Sequence, residues 1–300
     1  MTFLEFNRKF PNDDAVIDYY IQLRYKGKPS CKHCQSSKVY QKKDRKRIFH
    51  CDNCKNCFSV FSNTVFENTH ANLQKWFYAV HLFINGKKGI AALQLQREIG
   101  GSYSTSLTML RRIRIAMGNT DMGGFFETIV EMDETYVGGK PRKQNRKNDE
   151  AKSKRGRGTN KTPIIGVMDR DNKKVHAKVA LPNKAGKKLS GMQLLDVLQE
   201  VAKKGITVMT DEFKGYNLLL RKGYAHYRVD HTKEYCVDGY IHTNTIESFW
   251  ATFKRGFYGI YHSMSVKYLQ HYIDEFCFRY NNRNNPHIFD LLLLNTVTFK

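Results

Sequence analysis

Residues 127–137 read ETIVEMDETYV, and how this stretch is read decides the fold. Its β-branched and apolar residues mark a strand, yet Glu131, Asp133 and Glu134 stand inside it. A lone carboxylate in a buried strand is costly unless it is paired or holds a metal. Alternation along the strand keeps Glu131 on the side of Asp133 and turns Met132 and Glu134 to the other. Outward from here, PIIGVMDR (163–170), KVHAKVAL (174–181), ITVMTDE (206–212) and AHYRVDH (225–231) also read as strands, with GMQLLDVLQEVAKKG (191–205) as a crossover helix. Asp211 ends the fourth strand, and Glu212 turns away from it if the strand persists.

After the fifth strand comes HTNTIESFWATFKRGFYG (242–259), a helix with Asn244, Glu247, Ala251 and Lys254 along one face. NTIE is also a capping-box pattern, with Asn244 as N-cap and Glu247 at the third helical position. Two strand acids ask for a shared cation. Two divalent ions about 4 Å apart can serve both the attacking and the leaving oxygen of a phosphodiester, and hard ions of this kind take carboxylate oxygens.

Upstream, Cys31 and Cys34 form one CxxC and Cys51 and Cys54 another, with sixteen residues between the pairs. Each turn aims two sulfurs at one centre, so the four thiolates close a tetrahedral shell around a structural zinc. Cys57, His33 and His50 are nearby alternatives. The segment is too small for a core of its own, and the metal would supply its folding energy. Lys38, Lys42, Lys43, Arg45, Lys46 and Arg47 around it suit either DNA backbone contact or an ordinary solvated hairpin.

Before the zinc segment, DDAVIDYYIQLRY is an amphipathic helix with Val16, Tyr19, Tyr20 and Leu23 on one face. After it, helical periodicity runs through NLQKWFYAVHLFING, GIAALQLQREIG and STSLTMLRRIRIAMG. The last two have a helix-turn-helix layout: a turn at Gly100 and Gly101, then a helix capped by Ser104 or Thr105. Leu107, Leu110, Ile113 and Met117 would face inward, leaving the N-terminal face for a major groove and Arg111, Arg112 and Arg114 for phosphates.

The 300 residues carry 50 Lys and Arg against 28 Asp and Glu, a formal charge of +22, which favours a polyanionic partner such as nucleic acid. Ten Lys or Arg and two acids crowd into residues 140–161, a solvated loop. No apolar run reaches the roughly 18 residues a membrane span needs, and the first residues lack a signal-peptide core. The expectation is an intracellular protein with no membrane partner.

Together MDETYVGGK (132–140), VMTDEFKGY (208–216) and HTNTIESFWATFKRGFYG resemble the DDE transposases of bacterial insertion sequences. The resemblance is to the zinc-ribbon, Merlin-related group with an ISXO-like transposase domain, and it covers nearly the whole chain. It implies a ribonuclease H-like fold in which Asp133, Asp211 and Glu247 hold two magnesium or manganese ions, followed by the basic Lys254. The separations are 78, 36 and 7 residues. Some members carry asparagine as the third residue, the place where Asn244 stands.

The expected architecture is α+β and multi-domain: an N-terminal helix (1–27), a zinc ribbon (28–64), a helix-turn-helix (70–119) and a ribonuclease H-like mixed-sheet catalytic domain (125–300) with a basic loop (138–161). The expected function is binding of an element's terminal inverted repeats, then cleavage and transfer of strands into target DNA by successive in-line attacks at phosphorus. Lys254 and Arg255 would meet phosphate, and a homodimer or larger assembly would hold two ends of double-stranded DNA in the bacterial cytoplasm, at the nucleoid. The rivals are a catalytically idle, host-adopted regulator and a ribonuclease H-like nuclease that cuts without joining.

Overall fold

The computed structural model describes residues 1–119, 123–138, 161–182, 189–229 and 240–298. The expected basic loop therefore lies almost wholly outside the described residues. The chain forms two compact units, Met1–Thr120 with Asn284–Lys300, and Asp121–Arg283. No helix among the described residues is long and apolar enough to cross a membrane.

The first unit opens with α1 (Phe3–Lys9), fixed by a capping box between Thr2 and Glu5 that the sequence reading did not single out. Next, α2 (Asp13–Tyr25) is capped by Asn12 and buries Val16, Ile17 and Tyr20, while Tyr19 and Leu23 are only half-buried. Strands β1 (Val39–Gln41), β2 (Ile48–Cys51) and β3 (Cys57–Ser59) make a small antiparallel sheet. Its core is slight. Phe49 and Phe58 face each other in register, ring centres 5.5 Å apart.

Helices α3 (Leu73–Asn85), α4 (Ala92–Ile99) and α5 (Tyr103–Gly118) follow. Gly100 and Gly101 both take positive φ, at 71° and 84°, which glycine adopts without the steric cost of a Cβ. The turn is complete earlier than expected, so Ser102, not Ser104 or Thr105, caps α5 by accepting from the Thr105 amide at 3.1 Å.

The second unit holds β4 (Ile129–Val137), β5 (Thr162–Asp169), β6 (Lys174–Val179), α6 (Gly191–Val201), β7 (Thr207–Thr210), α7 (Asn217–Arg221), β8 (Ala225–Arg228), α8 (Asn244–Gly256) and α9 (Leu269–Asn281). The sheet order is β6-β5-β4-β7-β8. Strands β4, β5 and β6 are antiparallel neighbours, whereas β7 runs parallel to both β4 and β8.

Both faces are covered, as a sheet with a parallel half requires. Val130, Met132, Ile165, Val167 and Val208 pack with α6 and Tyr216 on one face. Ile164, Met168, Val175 and Ala177 pack with α8 and α9 on the other, against Ile246, Trp250, Ile273 and Phe276. Gly166 stands in register with Asp133. A Cβ there would lie 2.5 Å from Trp250 Cζ2 and 2.9 Å from Ile246 Cδ1, so only a bare glycine lets α8 lie this close to the sheet.

Finally α10 (Ile288–Asn295) returns to the first unit, a correction to the expectation that 125–300 forms one domain. Phe289, Leu292 and Leu293 are its buried side. The Phe289 ring lies 5.9 Å from those of Phe10 and Phe77, Tyr19 donates to Asp290, and the Tyr20 hydroxyl shares a hydrogen bond with Thr296 Oγ1 at 2.8 Å. An apolar helix can cover any apolar surface; here the aromatic cluster of α1, α2 and α3 receives it.

Candidate metal centres

In the first unit the two CxxC turns are built alike. Gln35 and Lys55, each one residue after a second cysteine, both take left-handed φ near 60°. The Cys31 and Cys51 amides donate to the Ser36 and Asn56 carbonyls. The four sulfurs of Cys31, Cys34, Cys51 and Cys54 lie within 4.8 Å of one another, with Cys31 to Cys54 and Cys34 to Cys51 at 3.6 Å. Bonds of about 2.3 Å to a tetrahedral zinc would space sulfurs by about 3.8 Å, so this donor set fits that ion. The Asn53 side-chain amide, then the Ser36 amide, hold the Cys34 thiol down to about 6, while Cys54, half-buried beside the other three sulfurs, is pushed up to about 11. Cys57 is outside this set; it is exposed, with His50 Nδ1 at 3.4 Å.

In the second unit the parallel β4–β7 pairing ends at Met132 opposite Thr210, so Asp133, in mid-β4, and Asp211, just past the end of β7, follow the last paired residues of neighbouring strands. Oxygens of Asp133, Asp211 and Glu134 lie within 4.8 Å of one another. Alternation does turn Glu134 to the opposite face, in register with Ile165, but one of its oxygens still reaches the two aspartates, a reach not expected from the sequence. The Tyr216 hydroxyl anchors Glu134 at 2.9 Å. The recurring Asp-Glu pairs in MDET and TDEF were the available signal.

Burial, followed by the charges of Glu134, Asp211 and, weaker, Glu247, pushes the Asp133 carboxyl up to about 8. A set of oxygen-only donors that repel one another this strongly fits a hard divalent cation. Tyr216, buried beside the same acids, is raised well above its ordinary value and remains a neutral donor.

Glu247 stands outside this tight trio. It is exposed on the first turn of α8, where the Thr243 hydroxyl donates to its Oε1 at 2.9 Å. Thr243, not Asn244, is the N-cap, so the Asn244–Glu247 capping box does not form. Asn244 is the exposed first helical residue. The helix is capped from outside. Glu131, fully buried, accepts from the Thr245 and Ile246 amides at 2.9 Å each and from the Thr245 hydroxyl at 2.9 Å. Its other partners are Arg170 Nε at 2.9 Å and His242 Nδ1 at 3.3 Å. Arg170 in turn donates to the Tyr240 and His242 carbonyls at 2.7 Å.

Residues 124–281 match the family model of the ISXO2-like transposase domain, and residues 11–57 match the transposase zinc-ribbon domain. The chain belongs to the ISXO2-like transposase family. A protein in the transposable element ISH50 of Halobacterium salinarum is 30% identical over 253 residues, spanning 80% of this chain and 82% of that one. Two solved structures are far more distant. A simian T-cell lymphotropic virus intasome bound to the PP2A regulatory subunit B56 gamma gives 13% identity and a TM-score of 0.30, over 66% of this chain and 64% of that one. The Mos1 transposase paired-end complex with left transposon end gives 12% and 0.28, over 75% and 80%. Similarity that low carries nothing over to the transposase chain described here.

The basic residues expected on DNA divide. Lys254 and Arg255 are exposed on the last turn of α8. On α5, Arg114 is 2% exposed, its guanidinium 5.3 Å from the centre of the Phe83 ring, and so is withdrawn from any phosphate. Arg112 donates to the Val65 and Glu67 carbonyls at 3.1 and 3.0 Å, fixing the segment before α3. Arg111 is half-buried. The helical period explains the error: Arg114 follows Ile113 and precedes Met117 on the apolar side, which apolar residues alone were expected to fill.

Proposed function

We propose that this chain is a DDE transposase that binds the terminal inverted repeats of its element and cuts and joins DNA strands. The observation that carries this is the convergence of Asp133 and Glu134 in the middle of β4 with Asp211 just past the end of β7, inside the segment matching the transposase domain. The strand order, three antiparallel strands continued by two parallel ones on the first, supports a ribonuclease H-like fold. Magnesium or manganese would be held by Asp133 and Asp211, with Glu134 on one side and Glu247 on the other; once bound, the ions would supply Lewis acidity at phosphorus. Tyr216 holds Glu134 in place, and Thr243 does the same for Glu247. Lys254 and Arg255, further along the helix of Glu247, would grip the phosphate backbone.

The first unit is read as the grip on double-stranded DNA. A ribbon closed by zinc and the α4–α5 pair support this, with exposed Tyr103, Ser104 and Thr105 at the start of α5 positioned for a major groove. Because two ends must be joined, the working form is a dimer or larger, acting on DNA in the cytoplasm. The test uses the full chain with a duplex taken from the DNA bordering its gene, in magnesium or manganese. Cleavage at the repeat end and joining to a target are expected, and both vanish in Asp133→Ala. Products that survive that change sink the reading, and cutting without joining would leave a nuclease instead.

A further inference from the structure

We infer that Glu131 is a positioning residue that sets where Glu247 stands relative to Asp133. The inference rests on the proposed metal-dependent reading of the acidic site. A helix start leaves its first amides without intrahelical partners, and a cap residue ordinarily supplies an oxygen from its own side chain. The N-cap of α8 supplies none to the backbone, since the Thr243 hydroxyl is turned to Glu247. The oxygen comes instead from β4, more than a hundred residues earlier, where both Glu131 oxygens are engaged by the first turn of α8.

The placement is what matters. Glu131 and Asp133 are two residues apart on one face of β4, a spacing of roughly 6–7 Å. Glu247 lies one residue beyond Ile246, whose amide Glu131 holds. A single buried carboxylate thus ties the strand of one metal-site acid to the helix turn of another. Arg170 and His242 complete the tie from the segment that leads into α8. A carboxylate with this much charge-assisted bonding and no exposure has one well-defined position, and the elements bonded to it share that definition. Gly166 makes the same approach sterically possible from the neighbouring strand.

The test is a double-mutant cycle on manganese affinity, measured by electron paramagnetic resonance with Mn²⁺ alone and the full-length, zinc-loaded protein. Glu247→Gln is expected to weaken binding about tenfold, and Glu131→Gln, though it touches no ion, by about tenfold as well, the size of effect that outer-sphere partners of metal ligands show. The double variant is expected to be no weaker than either single one, because both remove the same contribution. A merely structural role predicts independent losses that multiply, or none, and either result overturns the inference while the metal site stands. Wild-type protein that binds no Mn²⁺ overturns the metal reading and this inference with it. Thr245→Val removes only the hydroxyl partner of Glu131 and perturbs the fold least. Should Glu131→Gln fail to fold, Thr245→Val takes its place in the cycle, with an expected loss of about threefold that disappears in the Glu247→Gln background; a loss that persists there overturns the inference.

Discussion

The sulfur cluster and the carboxylate cluster are both sets of candidate metal donors brought together by the fold, but they are assembled by opposite means. The four cysteines come from two nearly identical turns separated by a hairpin, and each turn aims its pair by local backbone geometry. The acids come from β4, from the residue after β7 and from α8, three elements far apart along the chain. Their geometry depends on the sheet register, on Gly166 beneath Trp250, and on Glu131 at the start of α8. A local site tolerates change elsewhere and fails when a ligand is lost; a dispersed site fails through its supports too.

Cys51→Ser should have the largest effect. Zinc content by mass spectrometry falls from one ion per chain to none, and the ribbon loses the roughly 10–16 kcal/mol that such ions contribute to small folds. Full retention of zinc would show that Cys57 or His50 can substitute, and would break the contrast. Asp133→Ala should keep its zinc and its melting temperature while strand cleavage falls at least about a thousandfold, a loss of some 4 kcal/mol at the transition state. Loss of zinc in that variant would mean the two sites are not separate.

Gly166→Ala tests the supports without touching a ligand. Overpacking against Trp250 should cost about 1–3 kcal/mol in denaturant unfolding, and cleavage by the folded fraction should fall as α8 is pushed off the sheet. Unchanged cleavage would remove close packing from the account of the acidic site. Arg114→Ala should lower the stability of the first unit by about 2 kcal/mol while the salt dependence of DNA binding by the folded protein stays the same. A shallower salt slope would return Arg114 to the phosphate contacts. Smallest of all, Cys57→Ser should change stability by less than about 0.5 kcal/mol and leave zinc unchanged.

What was legible in the sequence follows the same division. Two CxxC pairs declare a metal site by spacing alone, and the chemistry-bearing acids could be read from apolar strand runs, Asp133 inside one and Asp211 at the end of another. Glu134 was not legible, because alternation gives the face a side chain leaves from and not how far its carboxylate reaches; Tyr216, which holds it, comes from 82 residues further on. Nor was Glu131, whose partners lie at Arg170, His242 and Thr245, distances along the chain that no local pattern spans. Thr243 and Asn244 are both acceptable caps by type, and only the buried oxygen from β4 decides between them. The apolar helix near residue 290 announced that it would be buried, without saying against which unit.

That helix carries a consequence for how the protein is made. The first unit is interrupted by the second, so on the ribosome its opening 120 residues emerge long before the segment that covers Tyr20 and Phe77. Until then a large aromatic surface waits uncovered, the kind of interval in which nascent chains turn to chaperones. The part read as holding DNA is thus completed only after the part read as cutting it, and a chain released early would carry a finished blade on an unfinished handle.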